Sequence, residues 1–155
     1  MNARSLLLMA SLCAAWPTAV RADDDDRQCS VRTLRGSFGF TFTGTANTPG
    51  GLSHRGGVGR YVFDGLGNLD GTVTINADGN VVRRTLVGTY TVEPDCTGSF
   101  AITFTDAAGG RATFDMVIDD DGREVRTVTT PPPGAVNPPT LTSVLRRQFS
   151  RRSIE

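Results

Sequence analysis

The sequence predicts an all-β protein built as one antiparallel barrel. Apolar and polar residues alternate through most of the chain, Gly, Asn and Asp separate the alternating segments, and no helical apolar pattern follows residue 22. A period of two places alternate side chains on opposite faces of a strand, whereas a helix would scatter them around its circumference. Because 155 residues suffice for one ordinary core, we expect a single domain.

The first 22 residues have the pattern of a cleaved signal peptide. A short basic start, residues 1–4, precedes an apolar run, residues 5–15, that is too short for an ordinary transmembrane helix. Cleavage after Ala22 would leave an acidic, disordered leader at residues 23–28. We therefore predict a secreted or periplasmic protein without stable membrane insertion after cleavage.

Removal of the signal peptide would leave two cysteines, Cys29 and Cys96. Disulfides persist in oxidising compartments, so we predict that these two residues pair. The bridge would close a loop of roughly 65 residues, for which the chain-entropy model gives about 4 kcal/mol of stability. Two cysteines with the single histidine, His54, make a poor zinc site. We expect no metal and no cofactor.

Eight alternating segments are predicted as strands. The first, residues 37–43, places Phe38, Phe40 and Phe42 on one face and threonines on the other. The others are residues 58–63, 69–75, 81–92, 99–105, 111–118, 124–129 and, after a proline-rich crossing at 131–139, residues 141–149. Eight antiparallel strands joined mostly by short hairpins suit an up-and-down barrel over residues 29–149, and a β-sandwich is the alternative.

The charge distribution gives no electrostatic basis for nucleic-acid binding, because the formal net charge is zero. Basic residues gather near the C-terminus, at Arg146, Arg147, Arg151 and Arg152. We interpret this stretch, which ends in a basic tail at residues 150–155, as polar surface. A tail that binds another surface is the alternative.

Two motifs carry a resemblance to a known family. They are Phe-Asp-Gly-Leu-Gly-Asn-Leu-Asp-Gly at residues 63–71 and the segment 84–98, which contains Cys96. Over roughly residues 29–149 the chain resembles a family of uncharacterised secreted bacterial proteins with a calycin-like barrel similar to that of allene oxide cyclase and dirigent proteins. The resemblance implies the barrel and a disulfide. It implies no reaction, because the motifs consist of turn glycines, strand residues and a cysteine.

Two acidic segments, residues 64–70 and 119–124, contain closely spaced oxygen atoms of the kind that bind calcium. Neither segment matches an EF-hand loop. Asp, Asn and Gly are also the residues that tight turns select, because short polar side chains bond their own backbone. We interpret both segments as turns.

Residues 45–57 are predicted to form a long glycine-rich loop that lies as a lid over one mouth of the barrel. The loop contains Ser53 beside His54. A serine hydrolase needs a base held rigidly against the nucleophile and oriented by a third group. Adjacent residues on a mobile loop do not provide that geometry, so we do not interpret them as a catalytic pair.

Five residues are candidate ligand contacts: Arg84, Tyr90, Tyr61, Phe40 and Arg60. Arg84 shares its strand phase with Tyr90, and inside the barrel its guanidinium would need a carboxylate partner or an anionic ligand. The alternative, which we favour, is that strand twist or a bulge at Gly88 turns Arg84 outward. The aromatic residues either line a pocket or fill the interior.

No catalytic signature emerges from the sequence. We expect a noncatalytic barrel that binds a small apolar ligand or a surface component, while a cyclase or isomerase that uses the lumen and a structural protein with a filled lumen are the alternatives. A cavity of roughly 300 Å³ or more with converging polar groups would favour a ligand or an enzyme. An interior filled by phenylalanine would favour the structural role.

Overall fold

The computed structural model describes residues 28–131, 134–135 and 138–148. The predicted signal peptide and its cleavage site, most of the acidic leader, part of the proline-rich crossing and the basic tail at 150–155 lie outside the described residues. Among the described residues, no helix has both the length and the apolar character needed to cross a bilayer.

Eight antiparallel strands form a closed barrel in which consecutive strands are neighbours. A 3₁₀ helix (Val31–Leu34) precedes the first strand, and a 3₁₀ turn (Asp120–Gly122) lies between the sixth and the seventh. The strands are β1 (Gly36–Thr48), β2 (Gly51–Phe63), β3 (Asn68–Ala77), β4 (Asn80–Val92), β5 (Thr97–Phe104), β6 (Arg111–Asp119), β7 (Glu124–Thr129) and β8 (Thr140–Arg147). The predicted barrel is confirmed, and the sandwich alternative is wrong.

Pairing of the first and last strands closes the sheet. Phe40 lies opposite Gly59 of β2 on one side and opposite Leu145 of β8 on the other. The inward side chains of all eight strands alternate with exposed ones, as the sequence period predicts. Because every strand has two neighbours, the barrel presents no open sheet edge.

The predicted lid at residues 45–57 is wrong. β1 and β2 continue through this segment as a hairpin, with Thr45 opposite His54 and Ala46 opposite Ser53, and the chain reverses only at Pro49 and Gly50. Backbone hydrogen bonds hold a ladder together without large side chains, so the glycines here do not prevent pairing. Ala46 and Ser53 are both buried, which gives the hairpin an inner face.

Glycines on the inner face make room for aromatic rings from the adjacent strand. A Cβ atom on Gly59 would lie 2.5 Å from the ring of Phe40, and one on Gly57 would lie 2.5 Å from the ring of Phe42. The rings therefore lie directly across the neighbouring backbone. Inward glycines of this kind also allow a strand to bend around a barrel.

Gly88 is not a bulge. The ladders that join β4 to β3 and to β5 run through Gly88 without an inserted residue. A Cβ atom on Gly88 would lie 2.2 Å from the carbonyl oxygen of Ala101, so the glycine permits a close approach of the β5 backbone. The strand phase therefore stays the same on both sides of Gly88.

The N-terminal 3₁₀ helix plugs one end of the barrel, and Arg147 holds it there. The Arg147 guanidinium lies 4.7 Å from the centroid of the Phe38 ring. It donates hydrogen bonds to the carbonyl oxygens of Thr33 at 2.7 Å, Gly122 at 3.0 Å and Arg35. The interpretation of Arg147 as polar surface is wrong, because it is an inward residue at the end of β8.

The predicted disulfide is confirmed at the same end of the barrel. Cys29 and Cys96 are bonded, with a Cα–Cα distance of 4.9 Å. The bond joins the segment before the 3₁₀ helix to the turn between β4 and β5. The backbone N–H of Cys29 also donates to the carbonyl oxygen of Pro94 at 3.1 Å. Both contacts anchor the chain as it enters the plug.

Replacement of Arg147 by methionine is expected to lower the free energy of unfolding by about 2 kcal/mol, because carbonyl groups at the plug lose their donor. Arg146→Met is the matched control, since Arg146 is exposed and, among the described residues, forms a surface ion pair with Glu124. Urea unfolding of both variants tests this expectation. Equal effects of the two substitutions would contradict the plug function of Arg147.

A double Cys29→Ser and Cys96→Ser variant is expected to lose about 4 kcal/mol of stability on the chain-entropy model. The comparison is urea unfolding of this variant and of the wild type, each with and without dithiothreitol. Reductant should lower the midpoint of the wild type and leave that of the variant unchanged. A wild-type midpoint that does not respond to reduction of the bond would contradict the expectation.

Candidate functional site

The half of the barrel opposite the plug contains a cavity of about 270 Å³. This volume is slightly below the criterion of roughly 300 Å³ and below the typical range of small-molecule sites, about 300–1,000 Å³, so the cavity has room for a compact ligand. Its wall comes from inward residues of β1 to β6 and β8 and is mainly apolar. The apolar residues of the wall, apart from Tyr61 of β2, are Phe40, Phe42, Val73, Ile75, Leu86, Ile102, Phe104, Ala112, Phe114 and Leu141. Gly110, Arg111 and Pro139 lie at the mouth, where the chain connects the strands.

Stacked aromatic rings form the floor of the cavity. Phe40 stacks on Tyr61 with ring centroids 4.2 Å apart, and Phe100 stacks on Phe114 at 4.6 Å. Tyr61 meets Phe100 edge to face at 5.7 Å, which joins the two pairs. Aromatic side chains therefore fill the half of the interior near the plug, and the half near the mouth is open. A filled interior and a lined pocket were the alternatives predicted from the sequence, and the barrel contains one of each.

Tyr61 brings a hydroxyl group to an otherwise apolar part of the wall. Burial raises the pKa of Tyr61 well above its ordinary value, so the phenol remains neutral at physiological pH. A neutral phenol can donate one hydrogen bond to a ligand atom. Tyr61 and Phe40 are thus candidates from the sequence that do line the cavity.

Arg84 lines the cavity as well, in contrast to the outward orientation that we favoured. Its guanidinium binds Asp106 through two hydrogen bonds of 2.6 Å, donates a third to the carbonyl oxygen of Gly109, and lies 3.8 Å from the centroid of the Phe104 ring. The side chain faces inward because the phase of β4 continues through Gly88. Asp106 raises the pKa of Arg84, and Arg84 lowers that of Asp106.

The Arg84–Asp106 pair therefore has a structural role at the mouth. Asp106 begins the connection between β5 and β6, and its carboxylate also accepts a hydrogen bond from the backbone N–H of Ala108 at 3.1 Å. The connection is tied to the cavity wall by the pair. Asp106 balances the charge of Arg84, and the Nε atom and one Nη atom of Arg84 are hydrogen-bonded to Asp106 and Gly109, so the attraction of Arg84 for an anionic ligand is weakened.

Arg55 is a cavity residue that the sequence interpretation missed. It lies on the inner face of β2, in phase with Tyr61, and lines the cavity. Its Nε atom is buried and has no hydrogen-bond partner, and no ion pair links Arg55 to another described residue. Arg55 was not assigned an inward position from the sequence because segment 45–57 was predicted as a loop. Counting back from Tyr61 in steps of two would have found it.

Two other sequence candidates lie elsewhere. Tyr90 is buried at the plugged end, where its hydroxyl donates to the carbonyl oxygen of Val31 at 2.8 Å, so it secures the 3₁₀ helix. Arg60 is exposed on the outer face of β2, between Gly39 and Thr72 of the adjacent strands. Neither residue lines the cavity. Arg60 is adjacent to the inward Tyr61 in the strand, so its side chain lies on the opposite, outer face.

Ser53 and His54 do not form a catalytic pair. Ser53 is buried and His54 is exposed, because adjacent residues of a strand point to opposite faces. Both residues contact Asp78. The Asp78 carboxylate is hydrogen-bonded to the Ser53 side chain and accepts a hydrogen bond from the backbone N–H of His54 at 3.0 Å. These bonds lower the pKa of Asp78.

In the acidic segment at 64–70, residues 64–67 form a turn and β3 begins at Asn68. The carboxylate of Asp64 accepts hydrogen bonds from the backbone N–H groups of Leu66 and Asn68 and from the Asn68 side chain. In the segment at 119–124, Glu124 pairs with Arg126 and Arg146 across the sheet surface. Among the described residues, no group of three or more His, Cys, Asp or Glu side chains is placed to hold a metal ion.

The cavity offers apolar surface and hydrogen-bond donors. No Asp, Glu, His or Cys is among the described residues of its wall, so that wall supplies no ordinary general base or strong nucleophile. A wider groove of about 650 Å³ crosses the outer face near Ser99, Asp115 and Arg126, but it is shallow and open to water. The lumen is the better binding site, because it shields a ligand from solvent.

Comparison with known proteins supports the fold alone. No protein-family profile and no curated protein sequence matches the chain. Two solved structures are similar: a redesigned β-barrel, mFAP1, bound to DFHBI, and EF1p2_mFAP2b bound to DFHBI. The first is 19% identical over 76% of this chain and 97% of its own, with a TM-score of 0.54. The second is 17% identical over 79% and 98%, with a TM-score of 0.55.

Substitution of Asp106 by asparagine is expected to reduce the acid sensitivity of the fold. The pKa of Asp106 is lowered in the folded state, so its contribution to stability is present above the unfolded-state pKa of about 3.9 and is lost as the pH falls through the folded-state value. Urea midpoints measured from pH 6 to pH 2 should fall less steeply in Asp106→Asn than in the wild type. Asp70→Asn, on the outer face of β3, is the control and should retain the wild-type slope.

Proposed function

We propose that the protein binds a small apolar molecule in the half of the lumen that opens at the mouth. The observation that carries this proposal is the cavity of about 270 Å³, which has an aromatic floor, apolar walls and few polar groups. Such a composition is typical of small-molecule sites, where polar groups orient a largely hydrophobic ligand. The plug closes the other end, so the ligand enters and leaves through the mouth.

The two similar barrels add support from their architecture. Both were determined bound to DFHBI, and both match this chain over nearly their whole length. Barrels of this topology and size are therefore compatible with a bound small molecule. The identities are too low to transfer the ligand itself, so the chemistry of the ligand must come from the side chains of this chain.

Export to the periplasm or the cell exterior is part of the proposal. The signal-peptide pattern in residues 1–22 supports it, and the Cys29–Cys96 bond is compatible with an oxidising compartment. We also propose membership of the secreted bacterial family whose motifs the chain resembles. A cyclase or isomerase is the weaker candidate, because the described wall of the cavity supplies no carboxylate or histidine to move a proton.

Native mass spectrometry of protein purified gently from its own host tests the binding function. We expect a protein peak with the added mass of a small molecule, which denaturing conditions remove. Ala112→Trp, which places an indole in the cavity, should abolish the added mass. Thr103→Trp is the matched control on the outer face of the adjacent strand, and it should retain the ligand.

A titration with a defined probe complements that experiment. The neutral compound 2-naphthalenemethanol should bind the wild type and Thr103→Trp alike, and its affinity for Ala112→Trp should fall at least about tenfold because the cavity is filled. Chemical-shift changes in heteronuclear NMR spectra should map to cavity residues such as Phe42 and Ile75. Shifts confined to the outer groove near Asp115 would refute the proposed site.

A further inference from the structure

We infer that the ligand carries an anionic group, such as a carboxylate, and that Arg55 binds this group at the mouth of the cavity. The inference rests on the proposed function and names the chemical class of ligand that the lumen selects: a small molecule with an apolar body and one negatively charged end. Three observations, on Arg55, on its charged neighbours and on the adjacent apolar surface, carry it.

The first observation is that Arg55 is incompletely satisfied. Its Nε atom is buried without a hydrogen-bond partner. A buried donor without an acceptor is costly, and polar groups of this kind occur rarely in folded proteins. A guanidinium presents its donors in a planar fork that matches the two oxygens of a carboxylate. An anionic ligand would therefore complete the hydrogen bonding of Arg55.

The second observation is that neighbouring charges leave Arg55 available. Arg84 lies in the same wall, but Asp106 neutralises it through two hydrogen bonds. Asp78 acts on Arg55 only at longer range, since no ion pair joins them and its carboxylate bonds Ser53 and the backbone of His54. Arg111 at the rim is exposed to solvent, which weakens its attraction for an anion.

The third observation is the position of Arg55 next to the apolar surface. Arg55 and Gly57 lie on the inner face of β2, and the Phe42 ring lies directly across Gly57. A ligand whose charged end contacts Arg55 can therefore place its apolar body against Phe42 and the deeper aromatic floor. The cavity is polar at its mouth and apolar at its base, which is the polarity of an amphipathic carboxylate.

Two probes of the same shape separate the charge from the apolar body: 2-naphthoate and neutral 2-naphthalenemethanol. In isothermal titration, the wild type should bind 2-naphthoate with at least tenfold higher affinity than 2-naphthalenemethanol. Arg55→Met should abolish this preference, so that the two probes bind with about equal affinity. The affinity of this variant for 2-naphthalenemethanol should stay within about twofold of the wild-type value. Arg60→Met removes an arginine from the outer face of the same strand and should behave as the wild type.

The outcomes distinguish this inference from the proposed function. If the wild type binds both probes equally, the inference is overturned and the binding function stands. If it binds neither probe, both are overturned. If Arg60→Met loses the preference as fully as Arg55→Met does, the selection for anions arises from the overall charge, and the assignment to Arg55 is wrong.

Stability without ligand provides a second readout. Because Arg55 has a buried donor without a partner, its replacement by methionine, a flexible residue of similar length, should leave the urea midpoint unchanged or raise it. A residue that supports the fold would show the opposite. A lowered midpoint for Arg55→Met together with an unchanged preference for 2-naphthoate would assign Arg55 a purely structural role and overturn the inference.

Discussion

Closure of the sheet between β1 and β8 is the constraint on which the other features of this protein depend. Once Phe40 has Leu145 on one side and Gly59 on the other, the inner circumference is set by eight strands and cannot expand to accommodate larger side chains. The inner face therefore combines large aromatic rings with glycines, and each ring that crosses a neighbouring strand needs a position without a Cβ atom. The volume that remains becomes the cavity.

The arginines at the two ends of the barrel differ in their hydrogen-bond partners, and this difference distinguishes the closed end from the binding end. At the plugged end, Arg147 uses its donors on backbone carbonyl groups and packs against Phe38. At the mouth, Arg84 is balanced by Asp106, whereas Arg55 keeps a buried donor without an acceptor. The hydrogen bonds of Arg147 and Arg84 tie separate segments of the chain to the barrel. An arginine that is not satisfied is better suited to recognition, since a ligand can supply the missing acceptor.

Much of the fold was predictable, and the failures have physical causes. Short-range alternation identified all eight strands, and cysteine number with compartment identified the disulfide. The segment at 45–57 was missed because its glycines weaken the period-two pattern, although ladder bonds between backbones need no side chain. Arg147 was missed because a cluster of arginines near a terminus resembles a solvated tail. Arg84 was assigned the wrong face because a glycine in a strand permits a bulge without requiring one.

The sequence by itself determined the class of fold, the alternation of inner and outer residues, and the pairing of Cys29 with Cys96, because each of these depends on local pattern or on a count. Only the tertiary structure decided which inward residues fill the barrel and which leave space, and which arginine finds a partner. These outcomes depend on contacts between strands distant in sequence, such as Arg84 with Asp106 and Phe42 with Gly57. The strand pattern around a residue specifies which face of the sheet its side chain lies on. The side chains of neighbouring strands specify whether its charge has a partner and whether the space around it is filled.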